Sequence, residues 1–474
     1  MYDFTMTIAG RSVAALDSFE IDNPATGEVF TAAPECSAEQ LDDAMTAAQD
    51  AFEDWRSNPS ARRSVLEHAA DLVESHADEL ADIITTEQGK PLSEAQEEVE
   101  GAASDLRYYP SLQLPQDSLH DDGELSVIVQ RRAIGPVATI TPWNYPLGVA
   151  VAKVATALAA GCTVVLKPSP YTPLSCLRFG EIVRDAFPAG VLNVISGGDR
   201  LGAELSRHPL TRLVSFTGSI ETGKQIAAAA AGDLKRIELE LGGNDPAVVL
   251  DDVDVDLIAD DLFAYAFGNC GQVCDAIKRV YAPQRIYNRL VDALADRARA
   301  ARVGAGSDES TQIGPLTNAM QRDRVSELVR DAVSNGARVA VGGKAPDRAG
   351  YFYEPTVLAD LAGGERIVVE EQFGPALPVV PYDDLSEAIR SANDTQFGLC
   401  ASVWSGDAER GAAVASQLQA GTIWVNTHQG YVDGQPSSGL KWSGVGAEGG
   451  LYGLLGFTSP QVVHIVKAVG PAHG

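Results

Sequence analysis

Residues 133–168 read AIGPVATITPWNYPLGVAVAKVATALAAGCTVVLKP, and this stretch decides the fold class. A β-rich apolar run gives way to a helical run that ends at Gly161, and a second short apolar run follows at 163–167. Short, nearly continuous apolar runs on either side of a helix are typical of parallel strands that are covered on both faces. The stretch therefore predicts a strand, a crossover helix and a second, parallel strand.

The same alternation continues as far as residue 243. Helical and β-rich runs follow one another as PLSCLRFGEIVRDAF (173–187), VLNVIS (191–196), RLVSFTG (212–218), ETGKQIAAAAAG (221–232) and RIELELGG (236–243). A second α/β unit begins at PAVVL (246–250) and extends to about residue 425. This organisation predicts an α/β protein with two doubly wound parallel-sheet units.

Three further segments have a different character. Residues 37–109 are mostly amphipathic helix, and the polar, proline-bearing passage at 114–132 predicts a hairpin arm. The VVHIV run at 462–466 predicts one strand that has no partner nearby in the sequence.

Length and composition limit the class of protein. A chain of 474 residues is too long for one ordinary core, so two or three domains are expected. It contains no run of 18 uncharged apolar residues, which disfavours a membrane span. The first residues, MYDFTMTIAGRSV, lack the pattern of a signal peptide, so we expect a cytoplasmic location.

The charge balance is strongly acidic, with 36 basic and 65 acidic residues and a formal net charge of −29. A nucleic-acid partner is disfavoured because binding to phosphates requires clustered positive charge. Self-repulsion of this size destabilises a compact state in dilute buffer, where salt does not screen it. The pattern resembles proteins of salt-accumulating archaea and predicts a halophilic source, with an unusually acidic mesophilic protein as the alternative.

Six cysteines, at positions 36, 162, 176, 270, 274 and 400, lack the spacing of a zinc ribbon or a disulfide scaffold, so no metal site is predicted. Four of them have apolar or small neighbours and are interpreted as core residues. The other two, Cys270 and Cys274, lie in FGNCGQVCDA (267–276). By themselves they are compatible with a metal clip, half of a disulfide, core filling or a reaction centre.

Two glycine motifs resemble nucleotide-binding loops. Gly444, Gly446 and Gly449 form G-x-G-x-x-G, but the residues before them are loop-like, so we interpret them as loop glycines. GSIETGKQ (218–225) resembles a P-loop, yet Gln225 stands where that loop needs a hydroxyl to bind Mg²⁺. What remains is a helix start with free backbone N–H groups, which suits a pyrophosphate.

A third set of residues is spread along the chain. PWNYP contains Asn144, LELGG contains Glu240, GQVC contains Cys274 and EEQFGP contains Glu371. Each falls at a strand end or in a loop of the predicted α/β units, where catalytic groups of such folds collect. A cysteine, a carboxylate and a side-chain amide can serve an acyl-transfer site as nucleophile, base and oxyanion donor.

Over nearly its whole length, from NPATGE (23–28) to FTSPQVV (457–463), the sequence resembles the aldehyde dehydrogenase superfamily. PWN, LELGG, GQ-C and EEQFGP occur in the family order, and Glu240 and Cys274 are 34 positions apart, as in the family. The resemblance implies that Cys274 attacks the aldehyde, that Asn144 and the Cys274 backbone N–H hold the oxyanion, and that Glu240 activates the water that hydrolyses the thioester. Members that transfer the acyl group to coenzyme A generally lack that carboxylate, so a non-acylating type is expected.

The resemblance also implies a dinucleotide site. The matching positions are Trp143, Lys167, Ser169, Pro170, Gly198, Gly202, Phe216, Gly218, Ser219, Glu240, Leu241, Gln321, Glu371 and Phe373, with Arg324 as a less secure match. Pro170 stands where many NAD-specific members carry a glutamate that repels a 2′-phosphate. The absence of that glutamate removes the repulsion, yet some relatives with proline at this position use NAD, so NAD is favoured and NADP stays open.

Other expectations follow from the family pattern. Lys153 and Glu448 match a proton-relay pair of part of the family, with structural surface charges as the equal alternative. The family plan assigns residues 1–115 and 135–242 to a dinucleotide-binding domain and 243–442 to a catalytic domain. Segments 116–134 and 455–474 would form an oligomerisation arm and terminal strand that extend a neighbour's sheet, which implies a homodimer or homotetramer.

The substrate is less well defined. Tyr145 is expected to line the substrate tunnel together with Asn144 and Cys274, and the small residues Ala152 and Gly268 suggest a roomy entrance. Asp275 replaces the usual small or hydroxyl residue after the nucleophile and is expected to point away from the thiol, because its charge would raise the thiol pKa. The partner is a small-molecule aldehyde whose identity the sequence does not predict.

A cysteine hydrolase and a non-catalytic binding protein are the two alternatives to a dehydrogenase. A cysteine hydrolase would use the same thiol without a cofactor, but none of the seven histidines lies in the motifs. A binding protein that has lost its chemistry has no reason to retain Asn144, Glu240 and Cys274 together.

Overall fold

The computed structural model describes residues 4–467. Its strands are β1 (Met6–Ile8), β2 (Arg11–Val13), β3 (Asp17–Asn23), β4 (Glu28–Glu35), β5 (Asp117–Asp121), β6 (Leu125–Ala133), β7 (Pro136–Ile140), β8 (Thr163–Lys167), β9 (Leu192–Val194), β10 (Leu213–Gly218), β11 (Arg236–Leu241), β12 (Asp245–Val249), β13 (Ile277–Pro283), β14 (Arg338–Val341), β15 (Thr356–Ala359), β16 (Ala376–Tyr382), β17 (Cys400–Trp404), β18 (Thr422–Val425), β19 (Gly444–Val445) and β20 (Thr458–Val466).

Its α-helices are α1 (Ala38–Ser57), α2 (Pro59–Ser75), α3 (Ala77–Gln88), α4 (Leu92–Tyr108), α5 (Pro146–Ala160), α6 (Leu174–Val183), α7 (Asp199–Arg207), α8 (Ile220–Ala231), α9 (Val255–Phe267), α10 (Gln284–Ala300), α11 (Ala319–Ser334), α12 (Arg366–Val369), α13 (Leu385–Asn393), α14 (Ala408–Ala415) and α15 (Gly450–Gly456). Short 3₁₀ turns occupy Tyr109–Ser111 and Gly268–Gly271. Within the described part of the chain, no helix is both long enough and apolar enough to cross a membrane.

Two large sheets organise the chain. The first has the order β19-β11-β10-β7-β8-β9-β1-β2, and its five central strands are parallel. The second has the order β14-β15-β16-β13-β12-β17-β18 and is parallel except for β14. Each sheet has its own cluster of buried side chains. The α/β fold predicted from the strand–helix alternation is confirmed.

The strand order places a crevice in the first sheet. β7 lies in the middle, with β8 on one side and β10 on the other, so the connections reverse direction at β7. Ligands of doubly wound sheets bind outside the carboxyl ends of the strands at such a switch point. The loops that follow β7 and β10 are therefore the expected walls of a binding site.

The arm and the C-terminal strand pair within one chain. β20 runs antiparallel to β6 over residues 458–466, and β5 lies on the other side of β6. The VVHIV strand has no partner nearby in the sequence, as expected, because β6 lies more than 300 residues earlier. Residues 1–3 and 468–474, which belong to the predicted first domain and terminal strand, lie outside the described residues.

The interpretation of Gly444, Gly446 and Gly449 as loop glycines is wrong in part. Gly444 belongs to the two-residue strand β19, and Gly449 directly precedes α15. β19 runs antiparallel to β11, so it does not form the parallel strand–helix–strand unit of a dinucleotide fingerprint.

A buried ion pair joins the helical layer to the first sheet. Lys90 Nζ and Glu98 Oε2 are 2.5 Å apart with both side chains almost fully buried. Glu98 Oε1 also accepts hydrogen bonds from the N–H groups of Leu147 and Gly148 at the start of α5, each at 2.9 Å. The pair therefore fixes the helix that follows Asn144.

We expect Glu98→Gln to lower the free energy of unfolding by about 3–5 kcal/mol, because the Lys90 charge is then left buried without its counter-ion. Urea unfolding at fixed KCl measures the change, with Glu100→Gln, an exposed position of the same helix, as the control. A loss within about 1 kcal/mol of the control would mean that the ion pair contributes little.

Candidate active site

The candidate catalytic residues meet between the two sheets. Asn144 lies between β7 and α5, Glu240 lies near the carboxyl end of β11, and Cys274 lies just before β13 of the second sheet. Glu240 and Cys274 are close enough for the charge of the carboxylate to raise the thiol pKa. The fold therefore brings together residues that are 96 and 34 positions apart in the sequence.

A strained turn presents Cys274. Asn269, Cys270 and Gly271 are consecutive residues with φ of 45°, 59° and 70°, in the left-handed region that L-residues rarely adopt. A Cβ on Gly271 would lie 2.5 Å from the carbonyl oxygen of Gly374, so the turn has no room for a side chain there. Gln272 closes the turn, since its Nε2 donates to Asn269 O at 3.0 Å and its Oε1 accepts from Thr317 N at 2.9 Å.

Asn144 is tied to the same turn. Its side-chain Nδ2 donates to the Gln272 carbonyl oxygen at 2.9 Å, and its backbone carbonyl oxygen accepts from Asn269 Nδ2 at 2.9 Å. Asn144 is 5% exposed, so burial and the Nδ2 contact hold the side-chain amide in one orientation. An amide held on the turn that carries the thiol suits an oxyanion donor, because such donors act through preorganised geometry.

The Cys274 thiol is poorly ionised without a ligand. Burial raises its pKa well above the ordinary value, and the charges of Glu240 and Asp275 act in the same direction, while Lys278 opposes them. Since the thiolate is the nucleophile, the site needs a base that removes the proton during the reaction.

Glu240 is that candidate base. Burial raises the pKa of its carboxyl group well above the ordinary range, Glu448 adds to the rise, and Lys153 and a contact with the Cys274 thiol lower it. Its Oε2 is buried without a hydrogen-bond partner in the described chain. A carboxylate with a raised pKa is the stronger base at neutral pH, and the free oxygen leaves room for a water molecule.

We expect alkylation of Cys274 by iodoacetamide, in the absence of cofactor, to keep accelerating above pH 9, because burial and the neighbouring carboxylates disfavour the thiolate. Mass spectrometry of the peptide that contains Cys274, sampled across pH 6–10, measures the rate. A plateau reached below pH 7.5 would contradict this electrostatic picture.

Asp275 has its own partners. Its Oδ1 accepts from Gln429 Nε2 at 2.8 Å and its Oδ2 from the Tyr431 hydroxyl at 2.7 Å. The side chain is therefore held by the loop after β18, although its charge still raises the pKa of the Cys274 thiol.

Neither neighbouring cysteine is linked to Cys274, which like the other five is a free thiol. Cys270 is buried in the strained turn, whereas Cys400 belongs to the small apolar cluster of Leu399 and Trp424 against which Cys274 packs. Among the described residues, no group of three or more His, Cys, Asp or Glu side chains is arranged to hold a metal ion.

Lys153 and Glu448, which match a proton-relay pair of part of the family, form an ion pair in the structure. Glu238 joins them. Lys153 Nζ lies 3.4 Å from Glu238 Oε2, and Ser215 Oγ donates to the same carboxylate oxygen. Burial raises the pKa of Glu238 well above its ordinary value, with the charge of Glu448 adding to the rise. Two carboxyl groups thus share one ammonium beside Glu240, which lies two residues from Glu238 on the same face of β11.

A cleft of about 940 Å³ opens at the switch point of the first sheet. Nine of the candidate cofactor residues line it: Trp143, Lys167, Ser169, Pro170, Gly198, Gly202, Phe216, Gly218 and Ser219. Sequence reasoning missed other lining residues, among them Tyr171, Arg207, Thr222, Gln225 and Ile226. The last three lie on one face of α8, so helical periodicity counted from Ser219 could have found them.

Two features of the cleft fit a dinucleotide. Ser219 caps the N-terminus of the 12-residue helix α8, whose first N–H groups suit a pyrophosphate. Lys167 is 3% exposed, donates to the Pro168 carbonyl at 3.1 Å and has no carboxylate within 4 Å among residues 4–467. Burial lowers the pKa of this lysine to about 8. A buried ammonium with spare donors fits ribose hydroxyls or a phosphate.

The remaining candidate cofactor residues do not line this cleft. The rings of Phe373 and Trp143 pack edge to face with their centroids 5.2 Å apart. Glu371 Oε1 accepts a hydrogen bond from Gly243 N at 3.2 Å. Burial raises the pKa of Glu371 to about 7. Gln321 donates to the carbonyls of Gln372 and Phe373, so its amide holds this loop. Leu241 packs towards Gly223 of α8, and Arg324 is paired with Glu370.

The chain is similar to known proteins in both sequence and structure. The sequence pattern of the aldehyde dehydrogenase family matches residues 12–463. Succinate-semialdehyde dehydrogenase [NADP(+)] GabD of Escherichia coli (strain K12) is 38% identical, with 92% of each chain covered. An NAD+ complex of aldehyde dehydrogenase from Bacillus cereus is 35% identical with a TM-score of 0.95, covering 98% of this chain and 97% of that one.

A third relative has a different substrate in its name. Betaine aldehyde dehydrogenase from Staphylococcus aureus, solved with NAD+, is 34% identical with a TM-score of 0.95, covering 99% of this chain and 96% of that one. Its likeness extends over both sheets, as does that of the other two. The chain belongs to the aldehyde dehydrogenase family.

Proposed function

We propose that Cys274, Glu240 and Asn144 carry out the reaction of this NAD(P)-dependent aldehyde dehydrogenase, the oxidation of an aldehyde to its carboxylate. The observation that carries this assignment is the placement of Glu240 beside the thiol, with the Asn144 amide bonded to the turn that presents it. A thiol, a base and an amide donor are the three groups that covalent acyl chemistry requires.

The first half of the reaction forms a covalent intermediate on Cys274. Glu240 takes the thiol proton, sulfur bonds to the carbonyl carbon, and the carbonyl electron pair moves to oxygen. Asn144 Nδ2 and the backbone N–H of Cys274 donate to that oxygen. A bound nicotinamide supplies the hydride acceptor, after which Cys274 carries a thioester.

The second half restores the thiol. Glu240, having passed on the thiol proton, takes a proton from water while the water oxygen attacks the thioester carbon and the C–S bond breaks. The sulfur leaves as a thiolate and takes the remaining proton of the carboxyl product, which leaves the carboxylate. We infer that Lys153 and Glu448 pass the protons of Glu240 outward, because the two form an ion pair that lines a cavity together with Glu238 of β11. Lys167 and Ser219 would hold the dinucleotide, and Glu371 and Phe373 its nicotinamide half.

The assay is the growth of absorbance at 340 nm in molar KCl, with a panel of aliphatic, aromatic and semialdehyde substrates and with NAD or NADP. We expect reduced cofactor to form with NAD. NADP is tested beside it, because Pro170 stands in place of a carboxylate that would repel a 2′-phosphate. A flat trace with every aldehyde, in folded protein that binds NAD, would contradict the proposal.

Several broader properties are part of the same proposal. Residues 1–115 and 135–242 would act as the dinucleotide-binding domain and 243–442 as the catalytic domain, with 116–134 and 455–474 as the oligomerisation segment of a homodimer or homotetramer. The net charge of −29 supports folding in concentrated salt and a halophilic, cytoplasmic origin. Light scattering across a KCl series tests both the assembly and the salt requirement.

A further inference from the structure

A second cavity, of about 300 Å³, lies beside the reaction centre. Its wall is formed by α4 with Asp105 and Tyr108, by α5 with Ala152 and Lys153, and by the loop that begins at Tyr431. The small side chain of Ala152 leaves this space open, in line with the roomy entrance expected from the sequence. Tyr431 and Val432 are 46% and 69% exposed and mark the side of the cavity that faces solvent.

The cavity adjoins the nucleophile through Tyr431. This side chain lines the cavity, and its hydroxyl donates to Asp275, the residue that follows Cys274. Lys153, which also lines the cavity, forms an ion pair with Glu238, and Glu238 lies two residues from Glu240 on the same face of β11. A molecule with its carbonyl carbon at Cys274 can therefore extend its other end towards this cavity.

The charge of the cavity is negative. Carboxyl groups of Asp105, Asp433, Glu238 and Glu448 line it, against one ammonium, that of Lys153. That ammonium is already paired with Glu448 and Glu238. The lining contains no other lysine and no arginine, so an anionic group has no free cation to bind there.

Part of this carboxyl lining has no hydrogen-bond donor or cation within the described chain. Glu238 is 5% exposed, and no N–H or O–H donor reaches its buried Oε1, although the carboxyl group of Glu448 lies close by. Asp105 is half-buried and Asp433 is exposed, and neither carboxylate has a hydrogen bond or an ion pair among residues 4–467. Buried oxygens without donors are costly unless a cation or donor from outside reaches them.

Aromatic rings complete the lining. Tyr108 and Tyr109 pack edge to face with ring centroids 5.2 Å apart, and Tyr431 stands at the mouth. Tyrosine faces attract organic cations through the negative charge of the ring. The described residues offer no cluster suited to a metal ion, so an organic cation fits the cavity better than a coordinated metal.

We propose that this cavity binds the cationic end of the substrate, so that the enzyme prefers small ammonium-bearing aldehydes over neutral and anionic ones. The inference rests on the proposed function, since it names the substrate class of the same site. Asp105 and Asp433 attract the ammonium group, the tyrosines contact its methyl or methylene groups, and the aldehyde carbon reaches Cys274. An aldehyde with a carboxylate tail, as in the name of the Escherichia coli relative, would be repelled.

The test compares three aldehydes that differ mainly in charge: trimethylammonio-acetaldehyde, its neutral isostere 3,3-dimethylbutanal and succinate semialdehyde. We expect kcat/KM for the cationic aldehyde to exceed that for the neutral one by about tenfold or more. Asp105→Asn and Asp433→Asn should each lower the cationic-to-neutral ratio several-fold. Asp433 is exposed, so its variant keeps the test valid if the Asp105 variant folds poorly. Asp43→Asn, an exposed position on α1, should leave the ratio and the rates unchanged.

A pH series adds an independent readout. Burial, with the charges of Asp433 and Glu448, raises the pKa of Asp105 to about 7. Its carboxylate therefore becomes charged as the pH rises from 6 to 8, and the cationic-to-neutral ratio should rise over that range. The other titratable groups around this cavity are Tyr108, Tyr109, Lys153, Glu238, Tyr431, Asp433 and Glu448.

The possible outcomes distinguish a failure of the cation site from a failure of the proposed function. Equal kcat/KM for the cationic and neutral aldehydes, or ratios unaffected by both Asn variants, would overturn the cation site while leaving the oxidation of neutral aldehydes intact. Failure to oxidise these three and every aldehyde of the wider panel, in folded protein that binds NAD, would overturn the proposed function itself. Competition by tetramethylammonium against 3,3-dimethylbutanal, lost in Asp433→Asn, would place the cation in this cavity without depending on its oxidation.

Discussion

The Cys274→Ala variant is expected to lose the oxidation of every aldehyde, by on the order of 10³–10⁴-fold or more in kcat. The substitution removes the sulfur that forms both covalent intermediates, and Cys270 is too deeply buried in the strained turn to replace it. The Cys274 side chain is not part of the lining of the cofactor cleft at the switch point of the first sheet. NAD binding, measured by the quenching of tryptophan fluorescence, should therefore persist.

Cys270→Ala is the matched control, because it removes the neighbouring sulfur and keeps Cys274. The account predicts nearly full activity for this control. Substantial activity in Cys274→Ala would mean that the reaction does not depend on the thiol assigned to it. Loss of activity in Cys270→Ala with the fold intact would mean that the reaction also needs Cys270, against this account.

The second large effect is expected from Glu240→Gln. Glutamine keeps the shape of the side chain but does not accept a proton, so hydrolysis of the thioester should slow by about 10²–10⁴-fold. Stopped-flow absorbance should then show up to one equivalent of reduced cofactor per active site, formed more slowly than in the wild type because the thiol has also lost its base, followed by a still slower steady rate. Glu100→Gln, at an exposed position, serves as the control.

Two results would contradict this role for Glu240. Wild-type steady-state rates in the variant would show that another group activates the water. A slow linear trace without a burst would place the main role of the carboxylate before the hydride step rather than after it.

The central parallel strands could be predicted from the sequence because burial on both faces leaves a local signal. β7, β8 and β10 are short apolar runs flanked by helices, and each one appears where the alternation placed it. The partner of β20 could not be predicted in the same way. β6 lies more than 300 residues earlier, and antiparallel pairing over such a distance leaves no mark in the local pattern.

The candidate site could be predicted in part. Asn144, Glu240 and Cys274 were assigned through the family resemblance, whereas their approach to one another depends on how two separate sheets face each other. Glu238 was missed, although the period of two in a strand places it on the same face as Glu240. Its contact with Lys153 and its place in the acidic cavity depend on α5 packing against the sheet, which no spacing in the sequence specifies.

The most direct test of the central claim is the mass of the covalent intermediate. Glu240→Gln protein is mixed with NAD and 3,3-dimethylbutanal, quenched in acid once about one equivalent of reduced cofactor has formed, and digested, and the mass of the peptide that contains Cys274 is measured. The account predicts that this peptide gains the mass of the aldehyde less two hydrogen atoms, as expected for a thioester, and that Cys274→Ala protein gains nothing. An unmodified Cys274 peptide beside a full equivalent of reduced cofactor, or the same added mass on another residue, would contradict it.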